Sequence, residues 1–196
     1  MKPPIPDHAG DPVTYSRFWT GPNMLTVLRL LLVPVFAVLL LSDGGMSTRL
    51  WAAIVFVVAA ATDVVDGAWA RSSGRVTTFG KVADPIADKA LTGVALVLLS
   101  YLGELPWWVT VVILVREFGV TMLRFWVIRH GVIPASRGGK AKTLAQNLAI
   151  LLFILPIGVG WLRLVAMSIA VILTVVTGLD YVVRALRLRT EGRHNG

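Results

Sequence analysis

The stretch "DVVDGAWARSSGRVTTFGKVADPIADK" runs from Asp63 to Lys89 and lies between two strongly apolar segments. It carries four acidic residues, called here the four aspartates: Asp63, Asp66, Asp84 and Asp88. Spacings of three and four residues place the members of each pair on one face of a helix. Because ionised carboxylates at a bilayer are costly unless a cation lies beside them, this pattern indicates a functional site.

The composition around this stretch is that of an integral membrane protein. Of the 196 residues, 56% are hydrophobic, and the mean hydropathy is +0.74. The formal net charge of +8 could point to nucleic acid, but the basic residues fall between the apolar segments instead of along one soluble face. Membrane topology and anionic lipid explain them better. The absence of cysteine excludes disulfides, thiolate metal sites and cysteine nucleophiles.

Six apolar segments predict an all-α membrane protein with six transmembrane helices. They cover approximately residues 24–42, 49–71, 84–102, 106–129, 143–161 and 163–185. Lys and Arg concentrate in the connections 71–83 and 129–142 and in the C-terminal tail. By the positive-inside rule, we expect both termini and the aspartate end to face the cytoplasm.

The chain is predicted to contain one catalytic domain with short flanking segments. Residues 1–20 are predicted to be an N-terminal cytoplasmic segment that is partly interfacial. Residues 21–186 would form the six-helix transmembrane domain, and residues 187–196 a basic cytoplasmic tail.

A cluster made only of carboxylates is best suited to hard divalent cations such as Mg²⁺ or Mn²⁺. Two such ions could clamp a pyrophosphate and stabilise the attacking and leaving oxygens of a phosphoryl transfer. Gly67, Ala70 and Gly80 leave room for a nucleotide, while Arg71 and Lys81 suit its phosphates. Charges that only set topology are one alternative. A membrane carrier for divalent cations is another, although carriers usually place such groups near the bilayer midplane.

The same stretch resembles the signature of the CDP-alcohol phosphotransferase family, D-x2-D-G-x2-A-R-x8-G-x3-D-x3-D, at every fixed position. The matching residues are Asp63, Asp66, Gly67, Ala70, Arg71, Gly80, Asp84 and Asp88. The resemblance implies a six-helix membrane fold, usually homodimeric, with an active site open to the cytoplasm. It also implies that the four aspartates bind two metal ions and that Asp88 is the general base. A CDP-diacylglycerol donor would then be bound by Asp66, Gly67, Ala70, Arg71, Gly80 and Lys81.

Three further stretches resemble bacterial members of the family whose acceptor is sn-glycerol 3-phosphate. They are "GPNMLTVLRLLLVP" (21–34), "VREFGVTMLR" (115–124) and "GGKAKTLAQ" (138–146). A dianionic acceptor needs convergent cations. The candidates, called here the acceptor cations, are Arg116, Arg124, Lys140 and Lys142. We expect Glu117 to pair with one of them, and Asp180 to pair with Arg184 without a catalytic role.

The resemblance therefore implies phosphatidyl transfer from CDP-diacylglycerol to glycerol 3-phosphate, with release of CMP, at the bacterial plasma membrane. A cardiolipin synthase and a phosphatidylinositol-phosphate synthase of the same fold remain alternatives, because the signature describes the shared donor. The carrier differs from all three in that it would release no CMP.

Overall fold

The computed structural model describes the backbone of residues 21–73, 78–127 and 137–194, and side chains within 24–62, 86–87, 89–123 and 139–185. These residues form helices and no strand, which confirms the all-α prediction. The helices are α1 (Gly21–Leu41), α2 (Gly45–Ser73), α3 (Thr78–Tyr101), α4 (Trp107–Val127), α5 (Arg137–Ile154) and α6 (Gly160–His194). The predicted N-terminal segment, residues 1–20, lies outside the described residues.

Three stretches within the described helices are long and apolar enough to cross a bilayer. They are Met24–Leu41, Gly45–Thr62 and Gly160–Ala185. Lys89–Tyr101 is a shorter apolar helix. Charged residues interrupt the apolar run of α4, at Arg116 and Glu117. Six spans therefore stay a prediction, whereas the helical architecture is observed.

The core lies where the apolar faces of α1, α2, α3 and α5 meet. Phe36 of α1 and Phe56 of α2 pack with ring centroids 5.7 Å apart, and both are fully buried. Ile113 of α4 and Ile150 of α5 extend the same cluster. Elsewhere the helices expose large apolar side chains, as Leu164 does on α6 at 62%. A lipid-facing exterior around a packed interior explains this distribution.

A tight turn joins α3 to α4 because Gly103 adopts a left-handed conformation with φ of 73°. Its N–H donates to Ser100 O at 3.1 Å, and the N–H of Glu104 donates to Leu99 O at 3.0 Å, so the last carbonyls of α3 are satisfied. The carboxylate of Glu104 in turn pairs with Arg49 near the start of α2. This turn therefore ties three helices at one end of the bundle.

Several predicted boundaries were wrong, among them the starts of α3 and α5, which begin at Thr78 and Arg137 instead of residues 84 and 143. The fifth apolar segment was expected to run to residue 161, but α5 ends at Ile154. Pro156 lacks an N–H for the next helical bond, and the connection that contains it also holds Gly158. The second segment was expected to begin at residue 49, but α2 begins at Gly45. At the C-terminal end, α6 continues to His194 without a break at residue 186.

Candidate active site

The signature occupies the C-terminal part of α2 and the N-terminal part of α3. Asp63 and Asp66 lie in α2, while Asp84 and Asp88 lie in α3, and the two helices pack against each other. Helical backbone at all four positions confirms the expected shared faces within each pair. Their side chains lie outside the described residues, as do those of Gly67, Ala70, Arg71, Gly80 and Lys81.

The donor set of four carboxylates fits hard divalent cations in its chemistry, since such ions prefer oxygen ligands. Among the side chains that the structure does describe, no group of three or more His, Asp or Glu residues could hold a metal ion. The four aspartates thus remain the candidate metal ligands of the chain.

A buried arginine from α1 reaches the end of α2 that carries the signature. Arg29 is fully buried, and its Nε donates to Thr62 Oγ1 at 3.3 Å. Thr62 immediately precedes Asp63, and its hydroxyl donates to Ala59 O at 2.7 Å. The stretch of α1 that resembles the glycerol-phosphate enzymes therefore contacts the residue that precedes the first signature aspartate.

Beyond the signature, three helices bring cations to one carboxylate, that of Glu117 in α4. Arg116 Nη1 donates to Glu117 Oε1 at 3.0 Å, and Lys142 Nζ from α5 donates to the same oxygen. Lys89 of α3 acts on this carboxylate electrostatically. We call these four residues the Glu117 cluster: Lys89, Arg116, Glu117 and Lys142. Counting formal charges of these four described residues alone, the cluster holds three cations and one anion.

The Glu117 cluster is well shielded from solvent. The side chains of Arg116, Glu117 and Lys142 are 12%, 14% and 5% exposed. Charges so deeply placed require close partners, and the shared carboxylate supplies one. One turn beyond Lys142, Gln146 is 2% exposed, and its Oε1 makes no hydrogen bond within the described part of the chain.

α6 contributes a hydroxyl and a glycine to this cluster. Thr177 Oγ1 accepts a hydrogen bond of 2.8 Å from Arg116 Nη2. At Gly178, an added Cβ would lie 3.0 Å from Arg116 Cγ, so the stem of this arginine packs directly on the helix backbone. The long arginine side chain thus bridges α4 and α6, which are in contact.

The structure brings together only part of the predicted acceptor pocket. Arg116 and Lys142 meet at Glu117, which confirms that this carboxylate pairs with an acceptor cation; it pairs with two. Lys140 is exposed on α5, and Arg124 has a side chain outside the described residues. The expected pair of Asp180 and Arg184 is also confirmed, at 3.0 Å on the exposed face of α6.

Sequence reasoning missed the contribution of α6 to the site. It also missed the electrostatic action of Lys89 on Glu117. Lys89 directly follows the last signature aspartate, which was the available signal for it. Thr174, Thr177 and Gly178 are small residues on one face of α6. Small residues on a membrane helix are typical of close helix contacts, so these residues could have marked the surface that receives Arg116.

Comparison with known proteins agrees with these features. The model of the CDP-alcohol phosphatidyltransferase family matches residues 19–176, which includes the whole signature and the Glu117 cluster. The chain belongs to the CDP-alcohol phosphatidyltransferase family. Membership makes it a transferase that uses CDP-activated donors, and the cation-carrier alternative loses its support.

Relatives within the CDP-alcohol phosphatidyltransferase family resemble the chain over most of its length. A probable phosphatidylglycerophosphate synthase of Mycobacterium tuberculosis is 56% identical over 170 residues, 84% of this chain and 81% of that protein. A CDP-diacylglycerol–glycerol-3-phosphate 3-phosphatidyltransferase of Bacillus subtilis is 39% identical, covering 82% and 92%. The enzyme of the same name from Rickettsia typhi is 38% identical, covering 82% and 93%. Together with its apolar helices, these bacterial relatives identify the chain as a bacterial membrane protein.

Proposed function

We propose that this protein transfers the phosphatidyl group of CDP-diacylglycerol to sn-glycerol 3-phosphate, giving phosphatidylglycerophosphate and CMP. The observation that carries the proposal is the Glu117 cluster. Its cations begin one residue after Asp88, and an acceptor that carries a phosphate dianion needs cations beside the base. The names of the relatives, which match well beyond the shared signature, support the same acceptor.

In the proposed reaction, an oxygen of glycerol 3-phosphate attacks the phosphorus that bears diacylglycerol. Asp88 takes the proton of that hydroxyl, a new phosphorus–oxygen bond forms, and the pyrophosphate bond breaks so that CMP leaves with the bridging oxygen. The Glu117 cluster holds the acceptor phosphate through its cations. This fixes the hydroxyl near the reacting phosphorus and lowers the entropy cost of bringing two substrates together.

The four aspartates would hold two Mg²⁺ or Mn²⁺ ions, which when bound neutralise the pyrophosphate and stabilise the charge that develops on the leaving group. Gly67 and Ala70 of α2 and Gly80 of α3 would leave room for the cytidine nucleotide. Arg71 and Lys81 would pair with its phosphates. The acyl chains would stay in lipid beside the apolar faces of the helices.

The site would open to the cytoplasm of a bacterium, at the plasma membrane. Basic residues concentrate in the connections at the signature end, which supports this orientation. At the other end of the bundle lie Arg49 and Glu104, paired with each other, together with Arg163, which acts electrostatically on Arg49. We also propose the homodimer and the six spans that the family resemblance implies.

The test is a CMP-release assay on the purified protein with CDP-diacylglycerol and Mg²⁺ or Mn²⁺. Glycerol 3-phosphate, phosphatidylglycerol and inositol phosphate are offered in separate reactions. We expect release with glycerol 3-phosphate at a rate at least tenfold above the other two. Release that depends on phosphatidylglycerol would instead identify a cardiolipin synthase. Release that depends on inositol phosphate would identify a phosphatidylinositol-phosphate synthase.

A further inference from the structure

Thr177 and Gly178 of α6 lie against a charged side chain from another helix, although they belong to an apolar membrane-spanning segment. Gly178 does not have a positive φ, so its backbone conformation does not require glycine. Glycine is required instead by the lack of room for a side chain. A Cβ at this position would lie 3.0 Å from Cγ and 3.6 Å from Nε of Arg116, closer than ordinary contact for the first of them.

The Thr177 hydroxyl is oriented by a second hydrogen bond. It donates to Leu173 O at 2.7 Å, one turn earlier in α6, and is 9% exposed. The one hydrogen of the Thr177 hydroxyl is used in this bond, so its oxygen is left to act as an acceptor. Arg116 Nη2 donates to that oxygen at 2.8 Å. Thr177 thus presents a fixed acceptor to the guanidinium.

The other two donor nitrogens of Arg116, Nη1 and Nε, have different surroundings. Nη1 is taken by Glu117, whereas Nε is buried and makes no hydrogen bond with any described residue. A guanidinium N–H buried without an acceptor is unfavourable, and such groups in native proteins usually have a functional explanation. Because Gly178 has no side chain, the stem and Nε of Arg116 can lie directly against the backbone of α6.

We propose that Thr177 and Gly178 are positioning residues for the acceptor phosphate. Thr177 holds the guanidinium of Arg116 through Nη2, and Gly178 lets the stem of Arg116 lie against α6, so that the guanidinium is set in place for the phosphate of glycerol 3-phosphate. The inference rests on the proposed function and adds α6 to the acceptor pocket. Neither residue is expected to touch the donor nucleotide or the reacting phosphorus.

The experiment measures KM for each substrate, and kcat, in CMP release by Thr177→Val, Thr177→Ser and Gly178→Ala in detergent. Valine keeps the shape of threonine but removes the acceptor, and serine keeps the hydroxyl. We expect Thr177→Val and Gly178→Ala to raise KM for glycerol 3-phosphate about tenfold or more, as loss of a hydrogen bond to a charged group does. KM for CDP-diacylglycerol should change less than about twofold, and Thr177→Ser should stay within about threefold of the parent.

Two matched controls separate positioning from general stability. Thr110 is also a buried threonine with two side-chain hydrogen bonds, to Ser100 at 2.7 Å and to Leu96 O at 3.2 Å. Thr110→Val should lower the melting temperature without changing KM for glycerol 3-phosphate. At Gly93, a Cβ would meet Leu114 at an ordinary 3.5 Å, so Gly93→Ala should leave all kinetic constants unchanged.

The outcomes are distinguishable. If the parent protein uses glycerol 3-phosphate but Thr177→Val leaves its KM unchanged, the positioning role is refuted and the proposed function stands. The same conclusion follows if both KM values rise equally, or if Thr177→Ser fails to restore the parent value. If the parent releases no CMP with glycerol 3-phosphate, the proposed function fails and this proposal fails with it.

Discussion

Replacing Glu117 by Gln should destabilise the protein strongly, because it removes the one described carboxylate from a cluster of cations. The carboxylate is 14% exposed and pairs with Lys142 and Arg116, which are 5% and 12% exposed. Breaking a buried ion pair by removing one partner typically costs about 3–5 kcal/mol, because the charge left behind stays desolvated. Here the substitution leaves several cations close together, so we expect a loss of about 3 kcal/mol or more in the free energy of unfolding.

The chain offers a matched control in Asp180→Asn. Asp180 pairs with Arg184 at 3.0 Å, but these side chains are 43% and 51% exposed. Exposed pairs contribute at most about 1 kcal/mol, so the control should unfold almost like the parent. Comparing the two variants therefore tests burial while the chemistry of the substitution, a carboxylate replaced by an amide, is held constant.

The assay is equilibrium unfolding in detergent micelles, repeated in a Lys142→Met background. With Lys142 removed, Glu117→Gln leaves fewer uncompensated charges and should cost at least about 1 kcal/mol less than in the parent. The reasoning is refuted if Glu117→Gln costs no more than Asp180→Asn. If the two substitutions lower the free energy of unfolding by strictly additive amounts, Glu117 and Lys142 do not interact as the structure has them.

Three more predictions concern the reaction and the turn at the other end. Asp88→Asn should abolish CMP release at an unchanged melting temperature, and near-normal turnover would exclude this residue as the base. Replacing the acceptor cations with Gln should raise KM for glycerol 3-phosphate more than KM for CDP-diacylglycerol; an equal rise in both would argue against the pocket. Gly103→Ala should cost about 1 kcal/mol in unfolding experiments with both KM values unchanged, since φ is 73° and no atom obstructs the new Cβ. An unaltered stability would contradict the assigned strain.

The sequence predicted those parts of the molecule that depend on local pattern. Apolar runs gave the helices, because every backbone group in a bilayer must be satisfied within its own segment. Fixed spacings gave the shared faces of the aspartate pairs, because a helix has one period. The pairing of Asp180 with Arg184 followed from the same period, since one turn separates them.

What sequence could not provide was contact between distant helices. The link from Arg116 to Thr177 spans 61 residues, and it depends on the close approach of α4 and α6 at Gly178. The early end of α5 was missed for a different reason. Hydropathy stays high through residues 155–159, while the backbone chemistry of Pro156 ends the helix.

The arrangement of α3 explains how one helix can serve both substrates. Asp84 and Asp88 are four residues apart and share a face, whereas Lys89 is turned by about 100° from Asp88 around the helix axis. The face with the aspartates belongs to the signature, and Lys89 acts on Glu117 of the acceptor cluster. Under the proposed function, neighbouring residues of one rigid helix therefore set the separation of donor and acceptor. A distance fixed by a single peptide unit is less sensitive to movement between helices than one set by two packed elements, which suits a reaction that depends on proximity.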